Sequence, residues 1–204
     1  MIAFEQADDL WTITLNRPDK ANSLTPDMLE TLCEITARKD LPKAMILTGA
    51  GRVFSAGADL EAARAGLATS PLWERLSGQI ADLPCLTIAA LNGTLAGGAF
   101  GMALACDIRL AVSGAKFFYP VMKLGFLPQP SDPARLAALI GPARAKMILM
   151  AGAKIEADEA LAWGLIDRIA TPDTLLDEAR ALTADACAAA SAHVAAIARL
   201  VEPE

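Results

Sequence analysis

The chain has 204 residues, 54% of them apolar and only 5% aromatic, which suits one well-buried α/β domain. Its formal charge of −6 and scattered Lys and Arg leave no basic stripe. Nucleic-acid and anionic-membrane binding therefore have no electrostatic basis, and the expected partner is a small molecule. Cys33, Cys85, Cys106 and Cys187 are far apart and form no CxxC pair, the usage of reduced, buried thiols in a cytosolic protein, and no zinc or other metal site is indicated. The start, Met1-Ile2-Ala3-Phe4-Glu5, lacks a basic region followed by an apolar run, and no apolar stretch reaches membrane-spanning length, so the expectation is a soluble, cytoplasmic protein.

In chain order, Trp11-Thr12-Ile13-Thr14-Leu15 alternates apolar and polar residues after an Asp8-Asp9 turn, predicting an amino-terminal hairpin that ends at Asn16-Arg17-Pro18. Thr25, Pro26 and Asp27 supply a cap, a preset first helical residue and a first-turn acid for a helix running to about Arg38. The runs 44–48 and 86–91 are continuously apolar and bounded by Gly or Pro, the pattern of parallel strands covered on both faces. Residues 60–82 between them are helical in character, and a further helix opens at Gly98. Residues 108–112 read as another strand, 119–133 as largely irregular, and helices follow over 134–140, 143–151, 157–163 closed by Gly164, and one long Ala-rich helix from about Asp173.

Two glycine-rich segments, Phe54-Ser55-Ala56-Gly57-Ala58-Asp59 and Asn92-Gly93-Thr94-Leu95-Ala96-Gly97-Gly98-Ala99, each stand between a strand and a helix. A helix start presents N–H groups without internal partners and carries partial positive charge, so the two segments together look like a two-donor site for an anionic oxygen such as that of a thioester enolate.

The order Asn16-Arg17-Pro18, Phe54 to Asp59, Asn92-Gly93 through Gly97-Gly98 and Cys106-Asp107-Ile108 resembles the crotonase superfamily. The similarity runs from about residue 4 to residue 185, through Leu124-Gly125 and the Ala-Leu-Ala-Trp-Gly-Leu-Ile core of 157–169. That family, which includes the enoyl-CoA hydratases and isomerases, implies an α/β spiral of ββα turns over 1–140 and a helical region over 141–204 for packing and assembly into a homotrimer or dimer of trimers. It also implies acyl-CoA thioester substrates, with coenzyme A as part of the substrate and no separate cofactor. Carried over by position, the resemblance assigns the oxyanion donors to the backbone N–H groups of Ala58 and Gly98. It places Lys20, Ala21, Asn22, Leu24 and Ala56 beside the CoA moiety, with Lys20 read equally as a phosphate contact and a solvated lysine. Asp59 and Asp107 read as structural.

The chain also departs from the pattern. Hydratases of the family place one glutamate three residues after the second oxyanion glycine and another after the proline of a Pro-Glu segment; here those positions are Gly101 and Val121. Neither moves a proton, and hydration needs both a base and an acid, so ordinary enoyl-CoA hydration is not expected. The isomerase carboxylate at the Pro-Glu position is lost as well. Gln129, in the loop beyond Leu124-Gly125, cannot act as a base. Asp132 is the nearest carboxylate, read first as the cap before Pro133 of the next helix and second as a catalyst. Tyr119 reads as packing or as a proton donor, Glu74 as a distant candidate over the pocket, and His193 as a surface residue. The alternatives to an acyl-CoA lyase or isomerase are a decarboxylase of malonyl-type thioesters, with Tyr119 or Lys123 holding the acid group, and a catalytically silent acyl-CoA binder. The end at Glu204, where many relatives continue into helices covering the pocket, adds an expectation of weakened CoA binding.

Overall fold

Asp8, in a left-handed conformation with φ +51°, turns β1 (Ile2–Ala7) back onto β2 (Leu10–Leu15) as an antiparallel hairpin. The computed structural model describes residues 1–201. Thr25 then caps α1 (Pro26–Thr36) by accepting from the Met28 N–H at 3.3 Å, with Pro26 in the first turn, as its sequence predicts.

Three ββα turns follow. The first is β3 (Ala44–Gly49), β4 (Val53–Ser55), α2 (Leu60–Arg64) and α3 (Leu72–Ala81). The second is β5 (Leu86–Leu91), β6 (Thr94–Ala96) and α4 (Phe100–Leu104). The third is β7 (Ile108–Val112), β8 (Lys116–Phe118), the single turn α5 (Val121–Leu124) and α6 (Asp132–Ile140). The chain closes with α7 (Pro142–Leu149), β9 (Ile155–Glu156), α8 (Ala157–Trp163), β10 (Arg168–Ala170), α9 (Leu175–Ala188) and α10 (Ser191–Val201).

Each turn adds one strand to each of two sheets. The larger has order β1-β2-β3-β5-β7-β10 and is parallel except for β1, and the smaller has order β4-β6-β8-β9, parallel except for β9. The apolar runs predicted for β3 and β5 are buried almost end to end, because helices cover the faces of a parallel sheet. Trp11, Phe54, Phe100 and Phe117 are the largest side chains fully enclosed in the core.

The region 141–204, whose last three residues lie outside the described ones, is mostly helical and adds the short β9 and β10 to the two sheets. One expectation changes. The single long helix from Asp173 is instead α9 and α10, bent by 113° where Ala189 adopts an extended conformation. Alanine content raises helix propensity without fixing continuity, and α10 buries none of its residues. Among the described residues no single helix is long and apolar enough to cross a membrane, and no group of metal-ligating side chains occurs.

Candidate functional site

The first glycine segment is fixed by the stretch that follows the hairpin. Ala56 N donates to Ala21 O (3.0 Å), Leu24 N to Gly57 O (2.8 Å) and Asp59 N to Leu24 O (2.8 Å). Asn22, fully buried with φ +50°, ties the knot: its side chain donates to Ala50 O (2.9 Å) and Val53 O (2.7 Å) and accepts from Arg17 N (2.8 Å). Asp59 caps α2 by accepting from Glu61 N and Ala62 N and pairs with Arg17 at 2.9 Å. The Arg17 hydrogen bond holds its carboxyl below the usual range. Asn22→Ala would strand the Ala50 carbonyl and the Arg17 amide, while Val53 O keeps its bond from Asn92 Nδ2 at 3.3 Å, so thermal or denaturant unfolding should show a loss of about 2 kcal/mol, within the range for buried groups left unpaired.

Gly57 and the second segment approach backbone to backbone. A Cβ on Gly57, whose φ is +88°, would lie 2.9 Å from Ala96 O, so both conformation and space require glycine there. Gly97, at φ +57°, turns β6 into a short 3-10 turn (Gly97–Ala99) that runs into α4. Trp73 lies against Gly98, its ring 3.3 Å from where a Cβ would stand, and its Nε1 donates to Leu67 O at 2.7 Å.

Among the described residues, neither the Ala58 nor the Gly98 N–H has a hydrogen-bond acceptor within the protein. Both residues line one cavity of about 260 Å³ together with Ala56, Trp73, Tyr119 and Val121. Among the described residues, none that lines it is charged. The aliphatic and aromatic side chains Leu60, Leu124, Phe126 and Leu127, all exposed in part, complete its wall and mouth. Gln129 Nε2 donates to Ala68 O at 3.1 Å, joining the two rims.

The acid and base candidates separate. Asp132 is not the cap of α6: that place belongs to Ser131, whose N–H and Oγ are both hydrogen-bonded to the Glu74 carboxylate from α3. Asp132 is turned inward instead and is 1% exposed. Its Oδ2 accepts from the Tyr119 hydroxyl at 2.9 Å, while Oδ1 is buried without a partner. A Cβ built on Gly101 would stand 2.9 Å from that Oδ1. Burial is the largest cause pushing the Asp132 carboxyl up to about 7, with nearby Glu74 adding to it and the Tyr119 hydrogen bond and Arg135 opposing it. Tyr119 is buried, stacked on Phe100 at 5.4 Å, and accepts from Gln129 N at 3.3 Å. Burial and the Asp132 charge push its phenol well above its ordinary value.

Other candidates stand apart from the cavity. Lys20 is exposed, Asn22 and Leu24 turn their side chains into the fold, and backbone hydrogen bonds link Ala21 and Leu24 to the first loop. Lys123 and His193 are exposed and outside the cavity lining. Asp107 accepts from Thr87 N and Oγ1 and serves the β5–β7 junction. The contact of Trp73 with Gly98 had no sequence signal, because only the packing of α3 on α4 creates it.

Residues 5–203 match the family described as Enoyl-CoA hydratase/isomerase. The chain is 35% identical over 183 residues to a 1,2-epoxyphenylacetyl-CoA isomerase of Escherichia coli, covering 84% of this chain and 70% of that protein. It is also 35% identical over 202 residues to a carnitinyl-CoA dehydratase of Citrobacter koseri, covering 95% and 77% respectively. An enoyl-CoA hydratase of Bacillus anthracis superposes with a TM-score of 0.89 at 31% identity, covering 98% of this chain and 81% of that one.

Proposed function

Because the chain belongs to the enoyl-CoA hydratase/isomerase family of the crotonase superfamily, we propose that it acts on an acyl-CoA thioester by holding the carbonyl oxygen on the N–H groups of Ala58 and Gly98 while an enolate forms. The observation that carries this reading is the pair of unpartnered backbone donors, from two separate glycine loops, in one uncharged cavity. Such donors act most strongly where water is excluded, and each contributes about 3 kcal/mol to an enolate-like transition state. The bound acyl group is apolar, matching the wall, and the CoA moiety runs past Ala56 along the 20–24 segment.

The reaction is narrower than the family. Water addition lacks its second proton-handling group, since Val121 and Gly101 carry none. Decarboxylation would bring a substrate carboxylate into a cavity whose lining has no cation, beside a Tyr119 hydroxyl already given to Asp132. Proton transfer on the acyl chain remains, and among the described residues Tyr119 is the one lining residue that carries a hydroxyl. A homotrimer or dimer of trimers in the cytoplasm belongs to the same reading, and light scattering on the purified protein checks the assembly.

The test is calorimetry with butyryl-CoA followed by mass-spectrometric product identification on crotonyl-CoA, 3-hexenoyl-CoA and methylmalonyl-CoA. Binding with conversion of the 3-enoyl ester is the expected result. Binding without turnover of any ester would make the protein a silent acyl-CoA binder, and absence of binding would overturn the thioester reading altogether.

A further inference from the structure

The unpaired Asp132 oxygen and the empty side of Gly101 are the same place. Asp132 Oδ1 lies 2.9 Å from the point where a Cβ on residue 101 would be, and it is shielded from solvent with no donor among the described residues. A buried carboxylate oxygen left without a partner is costly, and each such group calls for an explanation, a chemical role among them. Any residue larger than glycine at 101 would displace it.

Tyr119 connects that carboxylate to the cavity. A phenol has one donor and two acceptor positions. The donor goes to Asp132 Oδ2 and one acceptor position is taken by Gln129 N–H, which leaves one lone pair on a residue that lines the cavity.

Resting on the enolate reading above, we infer that Asp132 supplies, from the first turn of α6, the proton-storing carboxylate whose space Gly101 leaves open on α4, and that it acts through Tyr119 as a single relay for the isomerisation of 3-enoyl-CoA to 2-enoyl-CoA. Tyr119 is the catalytic group and Asp132 its positioning residue. In the forward step the Tyr119 oxygen takes the α-proton of the 3-enoyl thioester. The C–H electron pair moves into the enolate held at Ala58 and Gly98, and the proton originally on Tyr119 passes to Asp132 Oδ2. In the second step Asp132 returns its proton to Tyr119, Tyr119 protonates the γ-carbon, and the enolate electrons form the conjugated double bond. One proton leaves carbon and one returns, with no water, oxidant or further reactant.

The environment favours a relay over an isolated tyrosinate. Tyr119 is pushed too high to ionise alone, so its proton must be exchanged with a partner. The groups facing Asp132 are Tyr119, Arg135 one turn along α6, and Glu74 from α3, while α4 presents Gly101 with no titratable group. Burial against these neighbours brings the carboxyl to about 7, close to the pH at which a proton store works in both directions.

Isomerisation of 3-hexenoyl-CoA by Asp132→Asn, Tyr119→Phe and the double variant tests the relay, with butyryl-CoA affinity measured in parallel. The wild-type kcat should rise through a limb near pH 7. Asp132→Asn should lose that limb and about 100-fold or more in kcat, the usual span of general acid–base catalysis. Tyr119→Phe should match it, the double variant should be no worse than either single, and affinity should stay within about threefold, since groups acting as one unit are not additive. Should Asp132→Asn not fold, Tyr119→Phe decides alone. Retention of the wild-type pH limb and rate in Asp132→Asn overturns the relay. So does a wild type that binds butyryl-CoA and exchanges its α-protons in deuterium oxide without isomerising 3-hexenoyl-CoA, an outcome that leaves the enolate reading standing. Failure to bind any CoA ester removes the enolate reading itself.

Discussion

Gly98→Pro should lower kcat for thioester enolisation by about 10²- to 10³-fold, the loss found when one oxyanion donor is removed from a preorganised site. Proline has no N–H, so the change deletes the donor where charge develops. It also adds carbon facing the Trp73 ring, 3.3 Å from the Cβ position, which would impair the site for a purely steric reason. Gly98→Ala makes that same contact and keeps the N–H, so it should lose less than about tenfold by the same reasoning about donors. The ratio between the two variants, read as α-proton exchange of butyryl-CoA in deuterium oxide, isolates the hydrogen bond from the crowding. Equal losses would assign the effect to Trp73 and not to the donor.

Asp132→Asn should stabilise the protein at pH 8 while it removes activity. The carboxyl titrates near 3.8 in the unfolded chain and near 7 in the fold, so the folded state holds its proton more tightly. A carboxyl raised in this way supports folding fully below about pH 4, and that contribution falls as pH rises to about 7, beyond which the buried charge is a constant penalty. At full burial the displacement corresponds to at most about 4 kcal/mol. The Tyr119 hydrogen bond is kept by the asparagine carbonyl, so a net gain of about 2 kcal/mol at pH 8, vanishing at pH 4, is the expected result of urea titrations at the two pH values. A gain equal at both would mean that the charge is not the cause.

Most of the scaffold was readable from local patterns. The hairpin, α1, β3, β5, β7 and α8 were legible because alternation, continuous apolar runs, the Thr25-Pro26 start and the Gly164 stop act within a few residues. The smaller sheet was not, since β4, β6 and β8 have three residues each, too few to show a period, and are defined by their neighbours. Asp132 shows the limit most clearly. Ser131-Asp132-Pro133 carries a helix-start signature, and the helix does start there, but the cap position falls on Ser131, held by Glu74 from 57 residues earlier, and Asp132 turns inward. The positions of Ala58 and Gly98 followed from the family motifs, whereas the structural duties of Asn22 depend on carbonyls 28 and 31 residues away that no local window contains.

The bridge between Leu24 and Ala58, and the close passage of Gly57 against Ala96, fix the two donors through main chain alone. Main-chain atoms are identical in every residue but proline, so most side-chain replacements around the cavity leave the electrostatic focus where it is. On the proposed reading, acid and base groups can therefore be moved between elements around the cavity without displacing these two N–H groups. A carboxylate entering from α6 in place of one on α4 is the kind of relocation such a frame tolerates, and it marks the 126–135 stretch as the place to begin when retargeting this scaffold to a new proton-transfer reaction.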